Sequence, residues 1–576
     1  MSINKRLPLL IILALILFHL VNNYIWCFND WITLEGDMVD HLSSHAIVYC
    51  DLKDILDNPS DFYHNTVKLN GFLGRDSALR PTLYPPLFYI SSAIFNIIIG
   101  KADLVLTRLF NIFYFAILIT SVYFIGKEIV GINFGLFSAA LVSFYPALFG
   151  MSRLYTLDFP LVSMTACCVL SLIKTDFFTK RSQSILFGLI LGLGILIKAQ
   201  IILFILWPLL YVVAKVLFRN INGNKKKYML VNMVFAFALG AGLSSVWWAA
   251  NFRDSISNFI IQATVHPENI AQYSWIGGII RLKPLSLDWL FAYTYFLLNN
   301  ISPVLFIIFI IGLVSGFRAK IKHKAIILLW FFGAYLFFTF FPIKKDRFFI
   351  PALPALAIIS SWLFINLKGK VSKIIVVSGI FLFALYQFFF LSYRVVRSEV
   401  TGKNSPFYII TPMENPEICG YDLPKGNYYE CVYYKPRGRD IEDMGINLLS
   451  LIRQSPNSNI DISLVIDDNV CGNVAFGVGY LLKSNDKRIR IFSNRNFKLV
   501  SRRNGKKEFD YIIAINNIYR IRDISEDQLM REISQNNLDD NMSLRNKYIM
   551  LAKWQYSFDH CQIMLFKRIN SINNAL

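Results

Sequence analysis

Between residues 35 and 41 the chain reads Glu35-Gly36-Asp37-Met38-Val39-Asp40-His41, just after an apolar run. Three carboxylates within six residues at a membrane surface suit general-base or metal chemistry. Lys344, Lys345, Asp346 and Arg347 precede another apolar run. Their cations suit an anionic phosphate, which Arg grips through two donors and Lys as a point charge. Arg153, Asp158 and Lys198 also stand at the ends of apolar runs. His41 and His45 repeat at i, i+4 after Asp37. They raise a divalent metal as the one cofactor to consider, with Asp37, His41 and Asp158 as its ligands. An ordinary polar loop cap would also produce the acidic cluster. The chain contains neither a nucleophilic Ser or Cys motif nor a nucleotide-phosphate loop.

What must position these residues is a membrane-embedded framework. Of 576 residues, 55% are hydrophobic and 17% charged, against about 25% charged in soluble domains. Apolar runs of roughly 17–25 residues recur from Leu7 to Leu391, each long enough to cross about 30 Å of hydrocarbon. The first, Leu7 to Phe28, exceeds the h-region of a signal peptide and lacks a small-x-small cleavage site, so it reads as a retained helix. The formal net charge of +20 sits in short segments between apolar runs. That pattern fixes topology and suits anionic lipid heads, so no nucleic-acid partner is expected.

One apolar segment, Tyr84 to Gly100, decides the sidedness of everything after it. If it does not span, the crossings fall near 7–28, 104–126, 133–150, 158–174, 184–197, 199–217, 228–250, 298–317, 325–342, 348–367 and 373–392. With a cytoplasmic amino terminus, the basic clusters at Lys174–Arg181, Arg219–Lys227, Arg318–Lys324 and Lys368–Lys373 then face inward, as the positive-inside rule requires. If it spans, all of them face outward. The expected architecture is therefore a polytopic α-helical membrane protein of about eleven helices. The same parity puts the first loop (residues 29–83), Arg153, Asp158, Lys198 and Lys344–Arg347 together on the outer side.

Residues 1–393 form the membrane domain, and residues 394–576 return to soluble composition as an extracytoplasmic α/β domain. There the pattern predicts a helix at Asp440–Gln454 and a second at Asn473–Leu482. Strands are predicted at Asp461–Asp467, Arg488–Phe492, Tyr511–Ile515 and Gln562–Phe566. Cys419, Cys431, Cys471 and Cys561 lie in this region, where pairings such as Cys419–Cys431 are open and connectivity is not fixed.

Five motifs in order resemble membrane glycosyltransferases of the GT-C superfamily, nearest the protein O-mannosyltransferase and lipid A aminoarabinose transferase group. They are Glu35-Gly36-Asp37-Met38, Tyr84-Pro85-Pro86-Leu87, Ser152-Arg153 through Asp158, Gly192-Leu193-Gly194 through Lys198, and Lys345-Asp346-Arg347 through Pro354. Met38 stands where the family has a second acid, and Tyr84 where His is common. The resemblance implies a polyprenyl- or dolichyl-phosphate-linked sugar donor and a lipid, protein or glycan acceptor. It also implies Asp37 as catalytic base, assisted by Asp158, with Glu35, Arg153, Lys198, Lys345 and Arg347 binding substrate. A transporter or flippase of lipid-linked saccharide is the alternative, but such proteins carry ionisable residues near mid-membrane rather than at span ends.

Overall fold

The computed structural model describes residues 3–29, 36–75, 84–101, 103–218, 223–264, 287–341, 346–394, 440–454, 460–466, 489–495, 511–517, 548–556 and 561–568. The chain divides into two compact units. The first comprises Met1–Cys27, Asp57–Phe95 and Arg108–Lys435, the second Phe28–Leu56, Asn96–Thr107 and Pro436–Leu576.

The apolar runs fold as helices: α1 (Ile3–Asn29), α2 (Gly36–Asp57), α3 (Phe62–Phe72), α4 (Leu87–Ile99), α5 (Leu104–Leu109) and α6 (Asn111–Ile129). Then follow α7 (Ile132–Ser143), α8 (Pro146–Met151), α9 (Asp158–Lys174), α10 (Arg181–Ile195), α11 (Ile201–Phe218) and α12 (Gly223–Thr264). The series continues with α13 (Leu287–Ile301), α14 (Pro303–Phe317) and α15 (Lys324–Phe340). A 3-10 turn (Asp346–Ala352) precedes α16 (Leu353–Ser360), α17 (Leu363–Asn366) and α18 (Lys370–Phe389).

Among the described residues six stretches are long and apolar enough to cross a membrane, with a seventh if α13 and α14 count as one span bent by 114°. Four shorter apolar helices, among them α4, α7, α10 and α15, accompany them. One expected crossing is broken rather than continuous. Residues 133–150 split into α7 and α8 at Pro146, which has no N–H to continue the ladder. Residues 348–367 fall in one 20-residue apolar stretch, Arg347–Asn366, which opens as a 3-10 turn and runs on through α16 and α17. The 13 residues of α4 rise only about 20 Å, too little for a full crossing.

Close helix contacts use glycine, as expected where backbones must approach in lipid. A Cβ on Gly126 of α6 would lie 2.7 Å from the Gly135 Cα of α7. One on Gly192 of α10 would lie 2.9 Å from the Gly240 carbonyl of α12. The tight turn between α6 and α7 runs through Gly131 at φ 145°, a value L side chains rarely adopt. Aromatic rings fill the first unit's core: Phe18, Phe144 and Phe388 surround His19, which stacks on Phe115 at 4.4 Å.

The second unit contains α19 (Asp440–Arg453) and five strands, β1 (Ile460–Ile466), β2 (Ile489–Arg495), β3 (Tyr511–Asn517), β4 (Tyr548–Tyr556) and β5 (Cys561–Arg568). They form one mixed sheet in the order β2-β1-β3-β5-β4. β1 pairs parallel with β2 and β3, and β5 pairs antiparallel with β3 and β4. The parallel centre needs crossover connections, and α19 precedes β1 as in an α/β arrangement. The helix expected at Asn473–Leu482 and the Cys419–Cys431 pairing lie outside the described residues.

Candidate functional site

Asp158 is the first residue of α9, where a carboxylate meets the positive end of the helix dipole. It is buried, as is Arg347, while Lys198 is partly covered. Lys198 Nζ donates to Asp158 Oδ1 at 2.6 Å, and Arg347 Nη1 lies 3.6 Å from Oδ2. Lys198 is held in the turn between α10 and α11, its backbone N–H donating to Gly194 O at 3.0 Å. Arg347 comes from the 3-10 turn before α16. Three chain segments more than 180 residues apart at their extremes therefore converge on one carboxylate. Among the described residues two cations thus meet one carboxylate in a shielded place, an arrangement whose donors suit phosphate. The Tyr84-Pro-Pro-Leu segment adjoins the same turn, because Leu87 N–H donates to Leu196 O at 3.3 Å.

The other end of α9 carries Lys174, whose Nζ lies 2.6 Å from Glu128 Oε2. Lys322 reaches Glu128 Oε1 at 2.6 Å. The 17 residues of α9 separate the two clusters by about 25 Å, close to a hydrocarbon thickness. Asp158, Lys198 and Arg347 thus stand at one end of the helix, and the Arg318–Lys324 segment at the other.

Arg153 turns elsewhere. Its Nε donates to Asn23 Oδ1 at 3.2 Å and its Nη2 to Ser392 Oγ at 2.9 Å, joining α1 to the π-helical turn Phe390–Arg394 that follows α18. The guanidinium lies over Trp26, Phe149 and Phe388, with its carbon 5.1–5.4 Å from the ring centroids. Arg108, absent from the expected site, donates through Nε to Arg153 O at 2.7 Å and lies over Trp26. Both arginines are fully buried. Their position inside otherwise apolar runs was the available signal for such a network.

In the second unit, Asp37 is the second residue of α2, again at a helix start. Its side chain, together with Glu35, Lys344 and Lys345, lies outside what is described. His41 and His45 are buried on α2. Asn96 Nδ2 lies 3.0 Å from His45 Nε2 and donates to Thr107 Oγ1 at 2.7 Å. An amide donor facing Nε2 occupies the lone pair that a metal would need. Both Asp158 oxygens face cations, and no group of three His, Cys, Asp or Glu comes together among the described residues. The described residues therefore do not fit a metal.

Residues 84–243 match the family model of dolichyl-phosphate-mannose-protein mannosyltransferases. That segment includes Arg153, Asp158 and Lys198; it begins after Asp37 and ends before Arg347. No curated protein matches the chain. Among solved structures, ArnT from Cupriavidus metallidurans in the apo state aligns with a TM-score of 0.55 at 12% identity, over 96% of this chain and 97% of that one. The same protein bound to undecaprenyl phosphate gives 0.52 at 12% identity, over 96% and 97%. The archaeal oligosaccharyltransferase AglB from Archaeoglobus fulgidus, in complex with an inhibitory peptide and a dolichol-phosphate, gives 0.50 at 11% identity, over 100% and 75%. This chain is an integral membrane protein with the fold of these GT-C proteins, as the motifs implied.

Proposed function

We propose that this chain, built on the GT-C fold, is a glycosyltransferase taking its sugar from a polyprenyl or dolichyl phosphate. It passes that sugar to an acceptor at the outer membrane face. The reading is carried by the Asp158–Lys198–Arg347 cluster, which gathers two cations on one buried carboxylate at a span end. ArnT bound to undecaprenyl phosphate and AglB in complex with a dolichol-phosphate support a lipid-phosphate donor.

In the proposed reaction the acceptor oxygen attacks the anomeric carbon from the face opposite the phosphate. The carbon–oxygen bond to phosphate breaks and the electron pair leaves on the lipid phosphate. Inversion follows from that single displacement. Asp37 accepts the acceptor's proton, which makes the oxygen a better nucleophile as the new bond forms. Lys198 and Arg347, with Lys345, stabilise the negative charge growing on the phosphate. Asp158 holds the two cations in place so that they need not reorganise. Glu35 contributes at the acceptor side. Arg153, enclosed by rings and tied to Asn23 and Ser392, serves as the strut that fixes the loop leading to Asp158.

Purified protein in detergent should transfer radiolabelled sugar from a polyprenyl-phosphate donor, and Asp37→Asn should lower that rate about 10²- to 10⁴-fold while leaving folding intact. Near-normal transfer by Asp37→Asn refutes the base assignment. Transfer without a sealed bilayer also separates this reading from transport. The transport reading draws on the broken pair α13–α14. However, the buried polar residues at that break, Asn300, Ser302 and the facing Gln387, are all neutral.

A further inference from the structure

A groove of about 1170 Å³ opens between the α6–α7 turn, the end of α14 and α17. Leu313, Phe317 and Ile365 give it apolar walls, and Arg318 and Lys320 line its mouth. We propose that this groove binds an anionic glycerophospholipid of the cytoplasmic leaflet, with acyl chains along the apolar walls and the phosphate against Arg318 and Lys320.

Position comes first. Ile129 and Val130 of the groove directly follow Glu128, which bonds Lys174 at the far end of α9 and Lys322 of the same turn as Arg318. The groove therefore lies about 25 Å along α9 from Asp158. It is not an extension of the candidate transfer site and does not rest on the proposed reaction.

Charge comes second. Four cations occupy the segment Arg318–Lys324, and two of them are already engaged. Lys322 pairs with Glu128, and Lys324 Nζ caps α14 by donating to Gly316 O at 3.1 Å, Phe317 O at 2.9 Å and Ala319 O at 3.0 Å. Arg318 and Lys320 are exposed and form no ion pair among the described residues. Topology alone would require cations on this side but no concavity beneath them. An apolar trough ending in two unengaged cations is complementary to one amphiphile with an anionic head. A zwitterionic lipid would fill the trough and present the same phosphate, but its own cation beside that phosphate would oppose Arg318 and Lys320.

Attraction of about 5-fold for each cation sets the scale, so phosphatidylglycerol should be retained roughly 10- to 30-fold better than phosphatidylcholine. The test is native mass spectrometry of the full-length protein from detergent, titrated with each lipid. The double variant Arg318→Gln/Lys320→Gln should lose the preference. Ser315→Trp, which fills the groove and keeps both cations, should lose retention of the anionic lipid. Equal retention of the two lipids by the wild type overturns the proposal. So does full retention by Ser315→Trp, which would reduce the cations to general surface attraction. Displacement of the lipid by millimolar inorganic phosphate also overturns it, since the phosphate alone would then carry the binding.

Discussion

Replacing Asp158 by Asn removes the carboxylate that meets both Lys198 and Arg347 while keeping nearly the same shape. In the native protein the side chains of Asp158 and Arg347 are only 4% and 7% exposed, and Lys198 16%. Water therefore cannot compensate either cation well. Breaking a buried pair by deleting one partner costs about 3–5 kcal/mol, because the remaining charge stays buried. The 2.6 Å contact with Lys198 should dominate, since the 3.6 Å contact with Arg347 is long for a charged hydrogen bond. Lys198→Met alone should cost less, for Asp158 keeps Arg347. The double variant Asp158→Asn/Lys198→Met should be milder than the sum of the single changes by about 1–3 kcal/mol, the coupling expected of residues in direct contact. Equilibrium unfolding in mixed micelles gives all four corners of this cycle. An Asp158→Asn variant within about 0.5 kcal/mol of wild type, or strict additivity in the double variant, would show that the carboxylate does not anchor these cations.

The charge cluster at the other end of α9 should respond differently. Glu128→Gln removes two ion pairs whose lysines are 37% and 56% exposed, so the loss should stay near 1 kcal/mol and shrink further in 0.5 M salt, measured in the same micelles. Gly192→Val should destabilise by about 1–3 kcal/mol or block folding, because even a Cβ would stand 2.9 Å from the Gly240 carbonyl; Gly242→Val, on open surface, is the control for expression and unfolding midpoint. Burial first, and then the neighbouring Lys322, holds His323 below its ordinary 6.5. The folded protein therefore binds fewer protons there than the unfolded chain, and stability present above pH 6.5 should decline as the pH falls below it. His323→Phe should flatten that part of a pH–stability profile.

Much of the site was legible because ionisable side chains are costly inside apolar runs and seldom stand at their ends by accident. Asp158, Lys198 and Arg347 were picked out on that ground, and the structure brings these three together. Arg153 was picked out by the same reasoning, yet it is enclosed by Trp26, Phe149 and Phe388, rings from separate helices whose convergence no local pattern encodes. Helix identity was similarly legible, whereas continuity was not. The break between α7 and α8 lies inside a run of uniform hydropathy, where periodicity carries no mark of it and Pro146 is the one residue that does. In the second unit, β1, β2, β3 and β5 follow their sequence patterns. β4 escaped notice because a register shift between Met550 and Ala552 moves the apolar residues to the other phase midway along the strand.

Fastening α9 at both tips gives it the properties of a strut with clamped ends. A displacement by one residue along its axis is about 1.5 Å, more than half the length of either 2.6 Å contact, so neither Lys198 nor Lys174 keeps its geometry unless its partner moves as well. Piston motion of this helix is therefore penalised from two directions, and rotation from both as well. Any rearrangement of the first unit therefore falls to elements lacking such double fixation. The clamped helix keeps a constant length between its two ion clusters and serves as the fixed ruler against which those elements move.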